Sequence, residues 1–147
     1  MTIGGKILLY VGISPKAPPA NGRPASRQNL RTRLRYHMRG NAEGSTLRLT
    51  LGCLLSDELG LKLRRVGSGN RLTFYDGEKR LSEWLAENAS VVKEATPEPC
   101  LLEHALISAV PLPLNLDQNA SHAFCSTLTV IRRAARDAAR VLPVVSG

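Results

Sequence analysis

The apolar run "ILLYV" near the start of the chain, inside "GKILLYVGISPK", limits the fold more than any other feature. It predicts a short buried strand over Lys6 to Val11, because Gly12 and Pro15 interrupt the run immediately afterwards. No stretch of the chain approaches the roughly 18 apolar residues that span a bilayer. We therefore expect a cytoplasmic protein that makes no use of a membrane.

Length and composition are consistent with one domain. The chain has 147 residues, of which 43% are apolar, and this is enough to bury one hydrophobic core. We expect a single domain over residues 1–147 that ends in a helix. The three cysteines lie far apart without a CxxC pair, which favours reduced, packed thiols over a zinc site or a disulfide framework: Cys53, Cys100 and Cys125.

The charge balance indicates the class of partner. Twenty Lys and Arg residues against twelve Asp and Glu residues give a net charge of +8. Arginine outnumbers lysine, and its planar guanidinium suits two-point contacts with phosphate. Nucleic acid is the expected partner, and a basic surface that is only solvated is the alternative.

The order of predicted elements indicates an α+β fold with a small mixed or antiparallel central sheet flanked by helices. The segment "SPKAPPANGRPASRQN" is predicted to be an exposed loop. Ser45 is predicted to cap a helix, residues 67–70 to turn a hairpin, and "SVVKEA" to form a strand. Further helices are predicted in "RQNLRTRLRYHMR", in "GEKRLSEWLAENA", from Pro97 to Val110 and from about Ser121 to Leu142.

The helix in "RQNLRTRLRYHMR" places an arginine and a histidine side by side. At 100° per residue, Arg33 and His37 both lie on the flank of its apolar face, where they can grip one phosphate at the edge of the sheet. The structural alternative is a snorkelling Arg33 beside a hydrogen-bonded, partly buried His37. The outward side of the helix carries three arginines that suit loose contacts with a nucleic-acid backbone: Arg31, Arg35 and Arg39.

A carboxylate in a later helix needs a partner. Glu103 in "LLEHALI" has apolar residues on both sides, and a buried carboxylate without a partner is unfavourable. A metal ion, an arginine or hydrogen-bond donors can supply that partner, and a structural ion pair is the alternative. Asn115 in "PLPLN" follows the prolines that end this helix and can return to the same neighbourhood.

The last predicted helix repeats arginine every four residues opposite an apolar face. Such a stripe can bind a phosphate backbone, since each neutralised phosphate adds salt-dependent affinity. A solvated helix face is the alternative. Two residues of the stripe are candidates for nucleic-acid binding: Arg132 and Arg136.

Four motifs in this order, "LLYVGIS", "NLRTRLRYH", "LLEHALI" and "PLPLN", resemble the GIY-YIG nuclease superfamily. The resemblance extends from about Gly5 to Asn119, and the ordered set is much more specific than any single motif. It implies a GIY-YIG-like fold and a nuclease that uses one divalent cation, Mg²⁺ or Mn²⁺.

The resemblance also implies a role for each site residue. Glu103 would bind the cation, and Arg33 would offset the charge that develops on the phosphoryl oxygens. Tyr10 and His37 would position the attacking water or help to deprotonate it. Asn115 would orient phosphate or metal-bound water. A tyrosine with an ordinary pKa near 10 is a poor base, so Arg33 and the cation would have to lower that pKa.

The start of the chain departs from the family pattern. The family's earlier strand carries a "GIY" half-motif with a tyrosine, and only Met1 to Gly5 precede the first strand here. An upstream start, a remnant that binds without cutting, or a substitute such as Tyr36, which lies outside the apolar face of its helix, would explain the departure. An unpaired strand edge would also favour a second copy or a partner chain that completes the sheet.

The sequence thus predicts a Mg²⁺-dependent endonuclease that hydrolyses DNA phosphodiester bonds. A non-catalytic nucleic-acid-binding module is the alternative from another class. A third interpretation is a protein-interaction module that recruits a partner through its open strand edge, and it predicts no salt-dependent DNA binding.

Overall fold

The structure is a computed structural model that describes residues 1–15, 24 and 27–146. Most of the predicted loop over residues 14–29 lies outside these described residues. The chain divides into two compact units, Met1–Leu34 with Val92–Cys125 and Arg35–Val91 with Ser126–Gly147. The expectation of one domain over residues 1–147 stays a prediction.

The predicted α+β class is confirmed. The strands of the described residues form two separate two-stranded antiparallel sheets rather than one central sheet. None of the helices in the described ranges combines the length and the apolar content needed to cross a bilayer. In chain order the elements are β1 (Thr2–Ile3), β2 (Lys6–Ile7), α1 (Leu30–Arg39), α2 (Thr46–Leu54), α3 (Ser56–Leu59), β3 (Arg64–Val66), β4 (Arg71–Thr73), α4 (Gly77–Asn88), α5 (Pro99–Ala109) and α6 (Ala123–Val141).

A tight hairpin opens the first unit, where β1 pairs antiparallel with β2. Gly4 and Gly5 make the turn with φ values of 56° and 76°, in the left-handed region that favours glycine. Within the strand predicted over Lys6 to Val11, only Lys6–Ile7 forms a β-strand. The strand β1 precedes β2, because Gly4 and Gly5 fold the chain back on itself. No tyrosine lies in β1.

The first unit also contains α5, which begins at Pro99 rather than at the predicted Pro97. Proline suits the first helical position because that N–H has no partner within the helix. The strand predicted in "SVVKEA" is wrong, since residues 90–95 are irregular. Val91 and Val92 are exposed, and β-branched residues form a strand only where a neighbouring strand can pair with them.

In the second unit, local signals in the sequence fix the ends of the elements. The side chain of Ser45 accepts a hydrogen bond from the backbone N–H of Arg48 at 3.1 Å, which confirms the predicted cap of α2. The predicted hairpin is also confirmed, with β3 and β4 joined through Gly67 and Gly69 at positive φ.

The core of the second unit packs α2 closely against the residue that follows β4. A Cβ atom at Gly52 would lie 2.1 Å from the ring of Phe74, so only glycine allows this approach. The buried core cluster is formed by Ala42, Leu49, Cys53, Leu61, Leu63, Phe74, Leu81, Leu85 and Ala139.

Candidate active site

Tyr10 lies on an extended segment that a later loop holds in place. The backbone N–H of Leu114 donates to the carbonyl of Leu9 at 3.1 Å. The side-chain amide of Asn115 bonds both backbone groups of Val11, because Oδ1 accepts from the N–H at 2.9 Å and Nδ2 donates to the carbonyl at 2.9 Å. Asn115 thus acts like one residue of an adjacent strand and fixes the backbone next to Tyr10.

The glycine two residues after Tyr10 has a steric reason. A Cβ atom at Gly12 would lie 3.0 Å from both Cε1 and the phenolic oxygen of Tyr10. That separation is shorter than an ordinary van der Waals contact, so a larger residue would push the ring away. The "YVG" spacing therefore lets the tyrosine ring lie over the chain that follows it.

Charged residues of the first unit surround the phenol of Tyr10. Burial raises its pKa above the usual value, while Arg33 lowers the pKa through its charge and a hydrogen bond to the phenol. The negative charges of Glu103 and Asp117 raise the pKa further. The structure thus brings together Tyr10, Arg33 and Glu103, and adds Asp117. The only sequence signal for Asp117 is its position two residues after Asn115.

Arg33 retains a donor suited to an anion. Its side chain is half-buried, and its buried Nε has no hydrogen-bond partner among the described residues. A buried N–H normally has an acceptor, and the guanidinium fork matches phosphate oxygens well.

Glu103 is half-buried within the apolar side of α5. That side is formed by Leu102, Leu106 and Ile107, whereas Leu101 is 62% exposed. The carboxylate therefore lies among apolar residues, as the helical spacing predicts.

The residues present suit one kind of metal ion. Among the described residues, no group of three or more His, Cys, Asp or Glu side chains could hold a metal ion. Mg²⁺ needs only one or two carboxylates, because it keeps several water ligands and also binds substrate phosphate. Glu103, with Asp117 acting on the same phenol, fits that requirement.

His37 belongs to the second unit and is 5% exposed. Its Nδ1 lies 2.7 Å from the Oγ of Ser45, and its backbone carbonyl accepts a hydrogen bond from Nη1 of Arg48 at 3.3 Å. His37 is thus held both at the ring and at the backbone.

The structure contains a buried ion pair beside His37 that the sequence did not predict. Arg48 is fully buried, and its Nη2 lies 2.7 Å from Oε2 of Glu78. Oε1 of Glu78 also accepts from the backbone N–H groups of Ala42 and Phe74, at 2.8 and 3.0 Å. The available signal was one arginine in the otherwise largely apolar sequence of α2.

The candidate nucleic-acid-binding arginines divide into two groups. Arg132 and Arg136 are half-buried and close enough to Cys53 to lower its pKa, although burial still raises that pKa to about 11. The three arginines on the outward side of α1 are exposed, as predicted: Arg31, Arg35 and Arg39.

The cysteines differ in their burial. Among them, Cys53 is buried and Cys125 is half-buried, whereas Cys100 is exposed. The expectation of packed thiols is thus wrong for Cys100, which lies in the first turn of α5 and is exposed.

Comparison with known proteins gives one match. The model of the family described as the GIY-YIG catalytic domain matches residues 2–134. This range includes Tyr10, Arg33 and Glu103 as well as the Arg48–Glu78 pair. No curated protein and no solved structure gives a significant match.

Proposed function

The chain belongs to the GIY-YIG catalytic-domain family, and on that premise we propose that it is a Mg²⁺-dependent endonuclease that hydrolyses DNA phosphodiester bonds. The observation that carries this proposal is the cluster of Tyr10, Arg33 and Glu103 in one unit of the structure. Base, phosphate-binding and metal-binding chemistry can all be supplied by these three side chains.

Arg33 is the phosphate-binding residue of the proposed site. Its buried Nε would donate to a phosphoryl oxygen, and its positive charge would offset the negative charge that develops there. Because the guanidinium also donates a hydrogen bond to the phenol, Arg33 would fix the position of Tyr10 relative to the phosphate.

Tyr10 is the residue that contacts the attacking water. Its raised pKa keeps the phenol protonated at neutral pH in the metal-free protein. A protonated phenol can accept a hydrogen bond from water and so orient it, whereas taking the proton requires a lower pKa.

Glu103 is the proposed ligand for Mg²⁺ or Mn²⁺. When bound, the cation would polarise the scissile phosphate, stabilise the leaving oxygen and add positive charge near Tyr10. A half-buried carboxylate among apolar residues is well suited to hold a cation in a fixed place.

Asn115 and His37 complete the set of residues assigned by the resemblance. The amide of Asn115 is bonded to Val11, so we assign it the fixing of the Tyr10 segment in addition to any contact with phosphate. His37 is assigned to the attacking water.

Five arginines, three of them exposed and two half-buried, would bind the nucleic-acid backbone. The net charge of +8 supports a polyanionic partner, and phosphate contacts of this kind position a substrate without reading its sequence. The residues assigned to backbone contacts are Arg31, Arg35, Arg39, Arg132 and Arg136.

We also propose that a second copy or a partner chain binds at the edge of the β1–β2 sheet, and sedimentation tests whether the chain forms a dimer. The sheet of β1 and β2 has only two strands, and Ile7 and Leu9 are 72% and 45% exposed. Exposed apolar residues beside a strand edge favour pairing with another chain.

One observation favours a non-catalytic nucleic-acid-binding module instead. Burial raises the pKa of Tyr10 above its usual value, which makes the phenol a poor base in the metal-free protein. If bound Mg²⁺ does not activate Tyr10, the same arginines would bind DNA without cleavage.

Two measurements separate the two functions. The first is nicking of supercoiled DNA in Mg²⁺ and in EDTA, and the second is DNA binding at two salt concentrations. The nuclease proposal predicts nicking only in Mg²⁺, and loss of nicking in Arg33→Gln. Arg27→Gln is the matched control, because it removes the same charge from an exposed residue of the first unit. Salt-sensitive binding without nicking by the parent chain would support the binding module.

A further inference from the structure

His37 and Ser45 form a buried pair in the second unit. They are 5% and 1% exposed, and Nδ1 of the ring lies 2.7 Å from the serine Oγ. The same Oγ accepts a hydrogen bond from the backbone N–H of Arg48 at 3.1 Å, as the cap of α2. The histidine ring and the start of a helix therefore share one hydroxyl group.

The hydrogen-bonding capacity of this hydroxyl decides where the ring proton lies. A serine hydroxyl offers one hydrogen and two lone pairs, and the N–H of Arg48 occupies one lone pair. Among the described residues, its only other partner is Nδ1 of His37. If Nδ1 carried the proton and donated it, the hydroxyl hydrogen would be buried without an acceptor, which is unfavourable. Each of these groups is satisfied when the hydroxyl donates to Nδ1.

We infer that Ser45 is a positioning residue for His37 and holds its neutral ring in the tautomer with the proton on Nε2. In that tautomer Nδ1 is an engaged acceptor, and Nε2 is a hydrogen-bond donor. The Nε2 atom is buried in the free chain, and in this tautomer it can donate a hydrogen bond but cannot take a proton from the attacking water. This role of His37 rests on the proposed function. His37 would be a hydrogen-bond donor during cleavage, and another group would take the proton of the attacking water.

Arg48 fixes the same residue from a second direction. Its Nη1 donates to the backbone carbonyl of His37 at 3.3 Å. Its Nε and Nη2 donate to Oε2 of Glu78 at 3.1 and 2.7 Å. The ring and the backbone of His37 are thus both held by groups whose own positions are fixed, as an orienting side chain requires.

Imidazole ¹⁵N spectroscopy of the full chain reads the tautomer without any assay of cleavage. The chain has three histidines, and the spectrum of His37→Gln identifies the signals of His37. We expect the neutral ring of the parent chain to show an unprotonated Nδ1 and a protonated Nε2. A protonated Nδ1 in the neutral ring of the parent chain would overturn the inference.

Substitutions of Ser45 separate tautomer control from helix capping. Asp is as good a cap as Ser, but its carboxylate is only an acceptor. Ser45→Asp should therefore keep α2 and move the ring proton to Nδ1. Ser45→Thr keeps both the cap and the hydroxyl donor, so it should keep the tautomer of the parent chain.

Nicking of supercoiled DNA in Mg²⁺ then links the tautomer to the reaction. Ser45→Thr should nick DNA at least about tenfold faster than Ser45→Asp. The affinities of the two variants for DNA should differ only by the effect of the one negative charge that Asp adds. A Ser45→Asp variant that has Nδ1 protonated and nicks at the rate of Ser45→Thr would overturn the assigned role. If the parent chain does not nick DNA, the proposed function fails, and the spectrum still decides the tautomer.

Discussion

Several effects act in opposite directions on the pKa of the Tyr10 phenol. Burial raises its pKa, Arg33 lowers the pKa, and the charges of Glu103 and Asp117 raise it. The sign of each effect predicts how each neighbour changes the tyrosine.

Two substitutions should move the pKa of Tyr10 in opposite directions in metal-free protein. Arg33→Gln removes the charge and the hydrogen bond that favour phenolate, so the pKa should rise. Glu103→Gln removes a negative charge, so the pKa should fall. Ultraviolet titration in EDTA measures phenolate, and Tyr10→Phe identifies its contribution among the three tyrosines. Equal shifts in both variants would contradict the described cluster.

Cys53 should make the stability of the protein depend on alkaline pH. Burial raises its pKa in the folded state to about 11, above the value of about 8.5 in an unfolded chain. Its contribution is therefore fully present below about pH 8.5 and is lost as pH rises towards the folded-state pKa.

Urea denaturation at several pH values checks this expectation. Across the alkaline range the free energy of unfolding should fall more steeply for the parent chain than for Cys53→Ala. Cys100→Ala is the control, because Cys100 is exposed, and its slope should match that of the parent chain. A parent slope equal to that of Cys53→Ala would contradict a buried, protonated Cys53.

Residue positions were predictable where one element carries them. Arg33 and Glu103 follow from helical spacing, which places each on or beside an apolar face. The bonding of Asn115 to Val11 was not predictable, because the two residues are 104 positions apart. The Arg48–Glu78 pair joins residues 30 positions apart, and nothing local to either residue identifies the partner.

At the scale of elements, the Arg48–Glu78 pair connects α2, α4 and the end of α1. Glu78→Gln should destabilise the protein by about 3–5 kcal/mol, because it leaves the fully buried Arg48 without its counter-ion. Urea denaturation measures this loss.

The same helix supplies a matched control for that substitution. Glu83 pairs with Lys79 at 3.8 Å on the surface of α4, and exposed pairs contribute only about 0–1 kcal/mol. Glu83→Gln should therefore unfold close to the parent midpoint. If the two variants unfold at the same urea concentration, the buried pair does not stabilise the second unit as argued.

Helices and their caps were more predictable than strands. Ser45 and the prolines around α5 limit their helices through local chemistry, so the sequence locates those ends within a few residues. The strand in "SVVKEA" failed because a strand needs a partner, which its own residues do not reveal. The hairpin of β1 and β2 depends on two adjacent glycines at the very start of the chain.

At the scale of the whole molecule, Tyr10, Arg33 and Glu103 belong to the first unit, and the His37–Ser45 pair belongs to the second. The α+β class followed from the order of the predicted elements, and the family followed from the order of four motifs, each of which is weak alone. How the strands divide into two sheets did not follow, because sheet pairing depends on contacts far apart in sequence.

The central claim is that Glu103 binds the cation that cleavage requires, and Mg²⁺-dependent nicking by Glu103→Gln tests it most directly. Glu98→Gln is the matched control, since Glu98 precedes the same helix, is exposed and does not cap it with its side chain. The account predicts that Glu98→Gln nicks like the parent chain, whereas Glu103→Gln is slower by at least about a hundredfold. Both should bind DNA equally, because each loses one negative charge. Nicking by Glu103→Gln at the parent rate would contradict the account.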